Sequence, residues 1–188
     1  MSKRQVLSEI RELVEEAGLP IEPNVGYPWM TNRVPIEDDT STPARVLYRL
    51  SALHVRLGGD WEGRLAKRET QLRFDFLVRD DTLIEVDPVH RFTSARMSTL
   101  DFYDGVESHL DVDRYRELCE TYAEDANRPF GSKGTADFPF EGGRAYQAAF
   151  FDFAKDVLAP AHGFRLVRLP APEGELTSSL KLTLRVLL

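Results

Sequence analysis

Two short runs and the turn between them constrain this chain more than any other feature. Gln71-Leu72-Arg73-Phe74-Asp75-Phe76-Leu77-Val78 and Leu83-Ile84-Glu85-Val86-Asp87 read as neighbouring strands, over 70–79 and 82–88, with a turn at Asp80-Asp81. Leu72, Phe74, Phe76 and Val78 share one face of the first strand, and Arg73, Asp75 and Leu77 share the other. In the second, Ile84 and Val86 oppose Glu85 and Asp87. A carboxylate inside an apolar strand is costly unless it is paired or holds a cation. Register decides whether these three meet. A two-residue loop at 80–81 sets Asp75 opposite Val86; a three-residue loop sets it opposite Glu85 or Asp87, with all three acids on one face. The odd-length loop is expected. Three converging carboxylates suit a hard divalent ion, Mg²⁺ or Mn²⁺. The competing reading leaves the acids solvated, or paired with a neighbour such as Arg73.

Helical patterning surrounds this pair. Leu7, Ile10, Leu13, Val14 and Ala17 predict a helix over 2–17, stopped by Gly18 and Pro20. Residues 19–42, with Pro20, Pro23, Pro28 and Pro35, read as a long connection pinned by Tyr27, Trp29 and Met30. A second helix is expected over 43–57, N-capped by Thr42, with Val46, Leu47, Leu50, Leu53 and Leu57 inward and Gly58-Gly59 at its end. A third, over 112–126, turns Tyr115, Leu118, Cys119 and Tyr122 inward. Residues 128–143 are rich in glycine and proline and irregular. A strong helix over 144–158 carries Tyr146, Ala149, Phe150, Phe153, Val157 and Leu158, with Pro160 as its stop. Strands are expected at 164–169 and at about 180–187, where Leu180, Leu182, Leu184 and Val186 alternate with polar residues.

Composition limits what these elements can serve. A chain of 188 residues with 42% hydrophobic content builds one core without needing disulfides or a structural metal. No apolar run approaches the length of a membrane span, and the N-terminal stretch is charged, so a cytoplasmic protein without a membrane partner is expected. One cysteine, Cys119, excludes an internal disulfide and any multi-cysteine zinc site, and reads as a core residue. Residues 99–127 hold nine acids against two bases, which accounts for the whole net charge of −7. Residues 45–73 are locally basic, so a phosphate-binding surface is compatible with the global charge. His54 reads as a hydrogen-bonded core residue, and His109 and His162 as surface residues. Gly131-Ser132-Lys133-Gly134-Thr135 lacks the spacing of a phosphate loop and reads as a mobile loop. Tyr27, Trp29 and Trp61 suit either loop anchoring or stacking on bases.

Arg73-Phe74-Asp75-Phe76, followed by Leu83-Ile84-Glu85-Val86-Asp87-Pro88-Val89-His90, resembles the PD-(D/E)XK nuclease superfamily, and within it the very-short-patch-repair-endonuclease-like branch. Asp152-Phe153-Ala154-Lys155, Gly163-Phe164 and Leu166-Val167-Arg168 follow in the order of that branch. The resemblance implies an α/β fold of restriction-endonuclease-like type, a mixed central sheet flanked by helices. It covers a core at 43–100 and 144–170. Residues 1–42 would be an N-terminal extension, 101–143 an acidic excursion and 171–188 a C-terminal strand, all in one domain. It implies a Mg²⁺- or Mn²⁺-dependent endonuclease acting on DNA. Asp75 and Glu85 match the two metal-binding acids. Asp87 stands where the superfamily name places lysine, and serves as a third ligand in this reading. His90 is the proton carrier or an outer ligand, and Lys155 replaces the missing cation. Arg45, Arg49, Arg56 and Arg73 are the expected contacts to the phosphate backbone. The alternative is a catalytically inactive relative that binds nucleic acid or protein. The apolar chain end, Val186-Leu187-Leu188, would leave a sheet edge open to a second copy or a protein partner.

Overall fold

In a computed structural model, which describes residues 3–34 and 40–172, Val6, Ile10 and Val14 are buried on one side of helix α1, Lys3–Glu16. Gly18, at φ +72°, turns the chain out of this helix, a conformation that glycine adopts without a Cβ penalty. Strand β1, Ile21–Val25, follows inside the stretch expected to be a connection. The prolines hid it. Pro23 lies in β1, which is the outermost strand of the sheet, where a missing backbone N–H is tolerated.

Helix α2, Ala44–Arg56, buries Leu50 and Leu53, and Leu57 is buried at its end. Thr42 does not cap it. Pro43 holds the cap position, and the Thr42 hydroxyl shares a hydrogen bond of 2.9 Å with His162 Nε2. A short helix α3, Trp61–Leu65, leads to strands β2, Phe74–Val78, and β3, Thr82–Asp87. Val78 pairs with Thr82, so the turn is the expected three-residue one, closed by Arg79 at φ +55°.

The alternation along β2 breaks at Asp75. Phe76 and Val78 pack with Ile84 and Val86 against α1, whereas Phe74 packs in the larger core on the opposite face. The expectation that Phe74 shares a face with Phe76 and Val78 is therefore corrected. The β2–β3 ladder stops at Phe76–Ile84, and Asp75 Oδ2 instead accepts the Val86 N–H at 2.8 Å.

Beyond β3 come helix α4, Ser94–Leu100, and helix α5, Val112–Asn127, capped by the Thr93 hydroxyl and the Asp111 carboxylate respectively. α4 went unread because its Ser-Ala-Arg-Met-Ser-Thr-Leu carries few apolar residues. The segment 101–143 is no mere excursion: Tyr115, Leu118, Cys119 and Phe138 are buried in the main core. In the 131–135 stretch Thr135 bridges to Phe138, and the Ser132 and Lys133 carbonyls accept the Gly142 and Arg144 N–H groups. Helix α6, Gly143–Ala161, runs past Pro160. A proline in the last turn forfeits one hydrogen bond, and His162 N–H still caps the Leu158 carbonyl. Strand β4, Arg165–Pro170, then lies parallel to β3. The sheet order is β1-β2-β3-β4, mixed, with α1 on one face and the main core on the other. The C-terminal strand expected at 180–187, and with it the open edge, lies outside the described residues.

A buried charge network ties β3 and β4 to α6. Arg168 donates to both Asp87 oxygens at 3.0 and 2.8 Å, to the Asp152 carbonyl at 3.0 Å, and through Nε to Asp156. Asp156 also accepts from Arg96, at 2.8 Å, and from the Tyr103 hydroxyl. The Tyr115 hydroxyl donates to Asp87 Oδ2 at 2.6 Å.

His54 is fully buried, as expected, but neither ring nitrogen has a hydrogen-bond partner. Burial and the neighbouring Arg64 guanidinium push its pKa down to about 4, against a pull upward from Asp137 and Asp60.

Two stability measurements test these arrangements. Replacing Arg168 with leucine strands Asp87 and Asp156, and should cost about 3–5 kcal/mol in urea unfolding. His54 binds its proton in the unfolded chain near pH 6.5 and in the folded one only near pH 4. Stability should therefore fall by roughly 2–3 kcal/mol as pH drops through that interval, and His54→Leu should flatten the slope.

Candidate functional site

One stripe of α6 faces away from the main core. Arg144, Gln147, Ala148, Phe151, Asp152 and Lys155 recur at helical spacing and line a cleft of about 380 Å³. Leu72 and Arg73, just ahead of β2, form part of the opposite wall. His90, Arg91 and Phe130 complete the lining. The cleft is cationic: Arg73, Arg91, Arg144 and Lys155 meet one acid, Asp152, whose charge is held by Arg91 at 3.2 Å. Arg91, Arg168 and Arg96 together hold Asp152 below the usual carboxylate range against its burial.

Lys155 is the most deeply buried cation of this cleft's α6 wall. Its ammonium contacts Glu85 Oε1 at 2.5 Å and the Arg73 carbonyl at 2.6 Å, and lies 4.8 Å from the centre of the Phe74 ring. The Glu85 side chain is buried behind it. Burial raises the Glu85 pKa, Lys155 lowers it, and Asp75 raises it again.

Asp75 lies on the neighbouring strand with its Oδ2 at the peptide between Glu85 and Val86. It opens into a different groove, beside Arg4, Arg11 and Asn24. Lys3, from the first turn of α1, approaches the same oxygen at 2.8 Å, and its side chain is 32% exposed. His90 carries a lowered pKa, through burial first and then the charges of Arg91 and Lys3, so its imidazole is neutral near pH 7.

The expected residues separate into three groups. Glu85 and Lys155 form a pair at the cleft's α6 wall, with His90 and Arg73 also in its lining, and Asp75, on the neighbouring strand, opens into the other groove. Asp87 is elsewhere in function: Arg168 and Tyr115 take both of its oxygens, and it is fully buried. No cluster of three or more metal-ligating side chains occurs among the described residues, so the expected three-carboxylate centre is not formed. The physical reason is Arg168, whose guanidinium is the counter-ion of Asp87. Arg45 and Arg49 line a separate cavity with Val46, Val106 and Val157, and Arg45 lies 3.7 Å from Glu107. Arg56 is exposed on α2 and lines none of these cavities. Of the four expected phosphate contacts, only Arg73 reaches the cleft.

Arg91, Arg144, Gln147 and Phe151 were not foreseen. The spacing of Arg144, Gln147, Phe151 and Lys155 is visible in the sequence as a second stripe on α6, masked by the stronger apolar one. Cys119 is buried, as expected, and its burial pushes the thiol up to about 11. Tyr27 and Trp29 stack on one another at 5.0 Å, and Trp29 stacks on His162 at 4.5 Å, so they anchor the loop. No described helix is long and apolar enough to cross a membrane.

A family model described as a family of unknown function, DUF7255, matches residues 52–188. That span contains Asp75, Glu85, His90 and Lys155, but not α1. No curated protein and no solved structure matches the chain.

The Glu85–Lys155 pair sets a pH signature. Without its lysine, Glu85 keeps a proton that the unfolded chain has already lost, so stability must fall as pH rises above the ordinary carboxylate range. Lys155→Met should be close to the parent in urea unfolding at about pH 5 and clearly weaker at about pH 8. Glu85→Gln combined with Lys155→Met should remove that dependence.

Proposed function

The chain belongs to the DUF7255 family, and we propose that it is a metal-dependent nuclease of restriction-endonuclease-like type that hydrolyses phosphodiester bonds in DNA. One observation carries the reading: a lysine on α6, the helix that precedes β4, contacts the glutamate of β3, and an aspartate stands on the strand paired with β3. The mixed four-stranded sheet flanked by helices agrees with it.

The residues present suit a divalent cation. Burial holds the Glu85 pKa above its usual value against the pull of Lys155, and Asp75 is near enough to raise it further. Lys3, one-third exposed, already sets a cation against Asp75. Asp75 and Glu85 would hold the ion, while Asp87, committed to Arg168, is left out. Bound there, Mg²⁺ or Mn²⁺ supplies Lewis-acid stabilisation of the phosphate and a more acidic water.

The chain's own groups account for the remainder. Arg73, Arg91 and Arg144 attract the phosphodiester into the cleft. Lys155 places an ammonium where negative charge grows during attack, in a buried site where such charge counts most. The neutral His90 accepts a proton at a ring nitrogen.

A second reading has its own support. Lys3, Lys155 and Arg168 each already neutralise one of the three acids, as suits a nucleic-acid-binding relative without activity. Isothermal calorimetry with Mn²⁺, together with cleavage of labelled oligonucleotides, separates the two. The nuclease should bind Mn²⁺ and cut. Asp75→Ala and Glu85→Gln should abolish Mn²⁺ binding and lower cleavage by at least about 100-fold. Unchanged cleavage in both variants, or no heat with millimolar Mn²⁺, overturns the hydrolase.

A further inference from the structure

The cleft beside Lys155 has the volume and walls for one nucleotide, not for a helix of stacked pairs. We propose that its substrate is a single strand, one unpaired nucleotide of which enters between Phe130 and Phe151 while the cations grip the adjoining phosphates; this rests on the hydrolase reading of the same site.

Three observations on the cleft support it. Its volume of about 380 Å³ lies near the lower end of small-molecule sites, about 300–1,000 Å³, and a stacked duplex has no means of entering it. Two half-buried rings contribute to its lining from different elements, Phe130 from the turn after α5 and Phe151 from α6. A ring beside a phosphate-binding cation is the combination that holds unpaired bases without regard to sequence. Arg91 Nε is buried without a hydrogen-bond partner, although the residue lines the cleft and its other end holds Asp152. An unsatisfied guanidinium N–H there is a donor awaiting an acceptor oxygen.

The arginines of α2 that were expected to grip a duplex do not extend the cleft. Binding a double helix takes a row of cations that each neutralise a phosphate along the backbone. Here Arg45 and Arg49 belong to a separate cavity, and Glu107 and the Phe102 carbonyl engage them. Arg116 of the acidic α5 is likewise engaged, by Asp101. The cleft, by contrast, sets Arg144 and the unsatisfied Arg91 Nε in one lining with two aromatic rings.

Fluorescence anisotropy in EDTA tests this on the full chain, with a labelled oligothymidylate and a DNA hairpin of equal length. The oligothymidylate should bind at least about tenfold more tightly. Phe130→Leu and Phe151→Leu should each weaken it about tenfold, with hairpin binding unaltered, and Phe151→Trp should keep the parent affinity. Circular dichroism and thermal melting of each variant verify that the fold is intact. Equal or tighter binding of the hairpin overturns the proposal, as do folded leucine variants that bind like the parent. The hydrolase fails separately. Ring-dependent strand binding with no Mn²⁺ cleavage would retain the single-strand site and reject the chemistry. Hairpin cleavage indifferent to both rings would retain the chemistry and reject the site.

Discussion

A single guanidinium, that of Arg168, makes the interior of this protein possible. β3 turns Glu85 and Asp87 toward the main core, and α6 turns Asp152 and Asp156 the same way. Four carboxylates in so little space would repel one another and exclude apolar packing. Arg168 reaches three of them, either at the carboxylate or, for Asp152, also at the backbone carbonyl. It also fixes register. β4 pairs parallel with β3 so that Arg168 lies beside Glu85. A slip of one residue would turn the guanidinium toward α1, among Val6, Ile10 and Val14, and take from Asp87 its salt-bridge partner.

With Asp87 and Asp156 satisfied internally, the remaining acid on β3, Glu85, falls to Lys155. Lys155 and Asp156 are consecutive on α6, yet serve different neighbourhoods because a helix turns about 100° per residue. Asp156 looks inward to Arg96 and Arg168; Lys155 looks toward the cleft. The same helix thus anchors the core by one stripe and supplies the cleft wall by another. The cleft residues sit on a scaffold whose own side chains are locked, the condition under which small groups hold a fixed geometry.

Much of this architecture was legible in residue patterns. The β2–β3 hairpin showed in its alternation, and its odd loop followed from the cost of burying Asp75 and Glu85 apart. The long helices showed in their apolar spacing, and Lys155 was singled out by the family resemblance of Asp152-Phe153-Ala154-Lys155. What stayed hidden was local in each case. β1 was masked by Pro23, which an outer strand tolerates. The reversal of faces at Asp75 arises from a side chain capturing the Val86 N–H, which no periodicity reveals. α4 is too short and too polar to announce itself, and its Arg96 matters only through Asp156 on another helix.

The chain's own order of residues determined that there would be an α/β body, that two strands would carry misplaced charges, and that some compensation for those charges had to exist. It could not determine the partners. Asp87 and Glu85 stand two apart on one strand face and look equivalent in sequence, both equally suited to a cation. Folding gave one of them arginine and tyrosine in a closed interior and the other a lysine at the edge of a basic cleft. That choice depends on which distant side chains arrive within about 3 Å, and electrostatic stabilisation in a buried site is decided at that range.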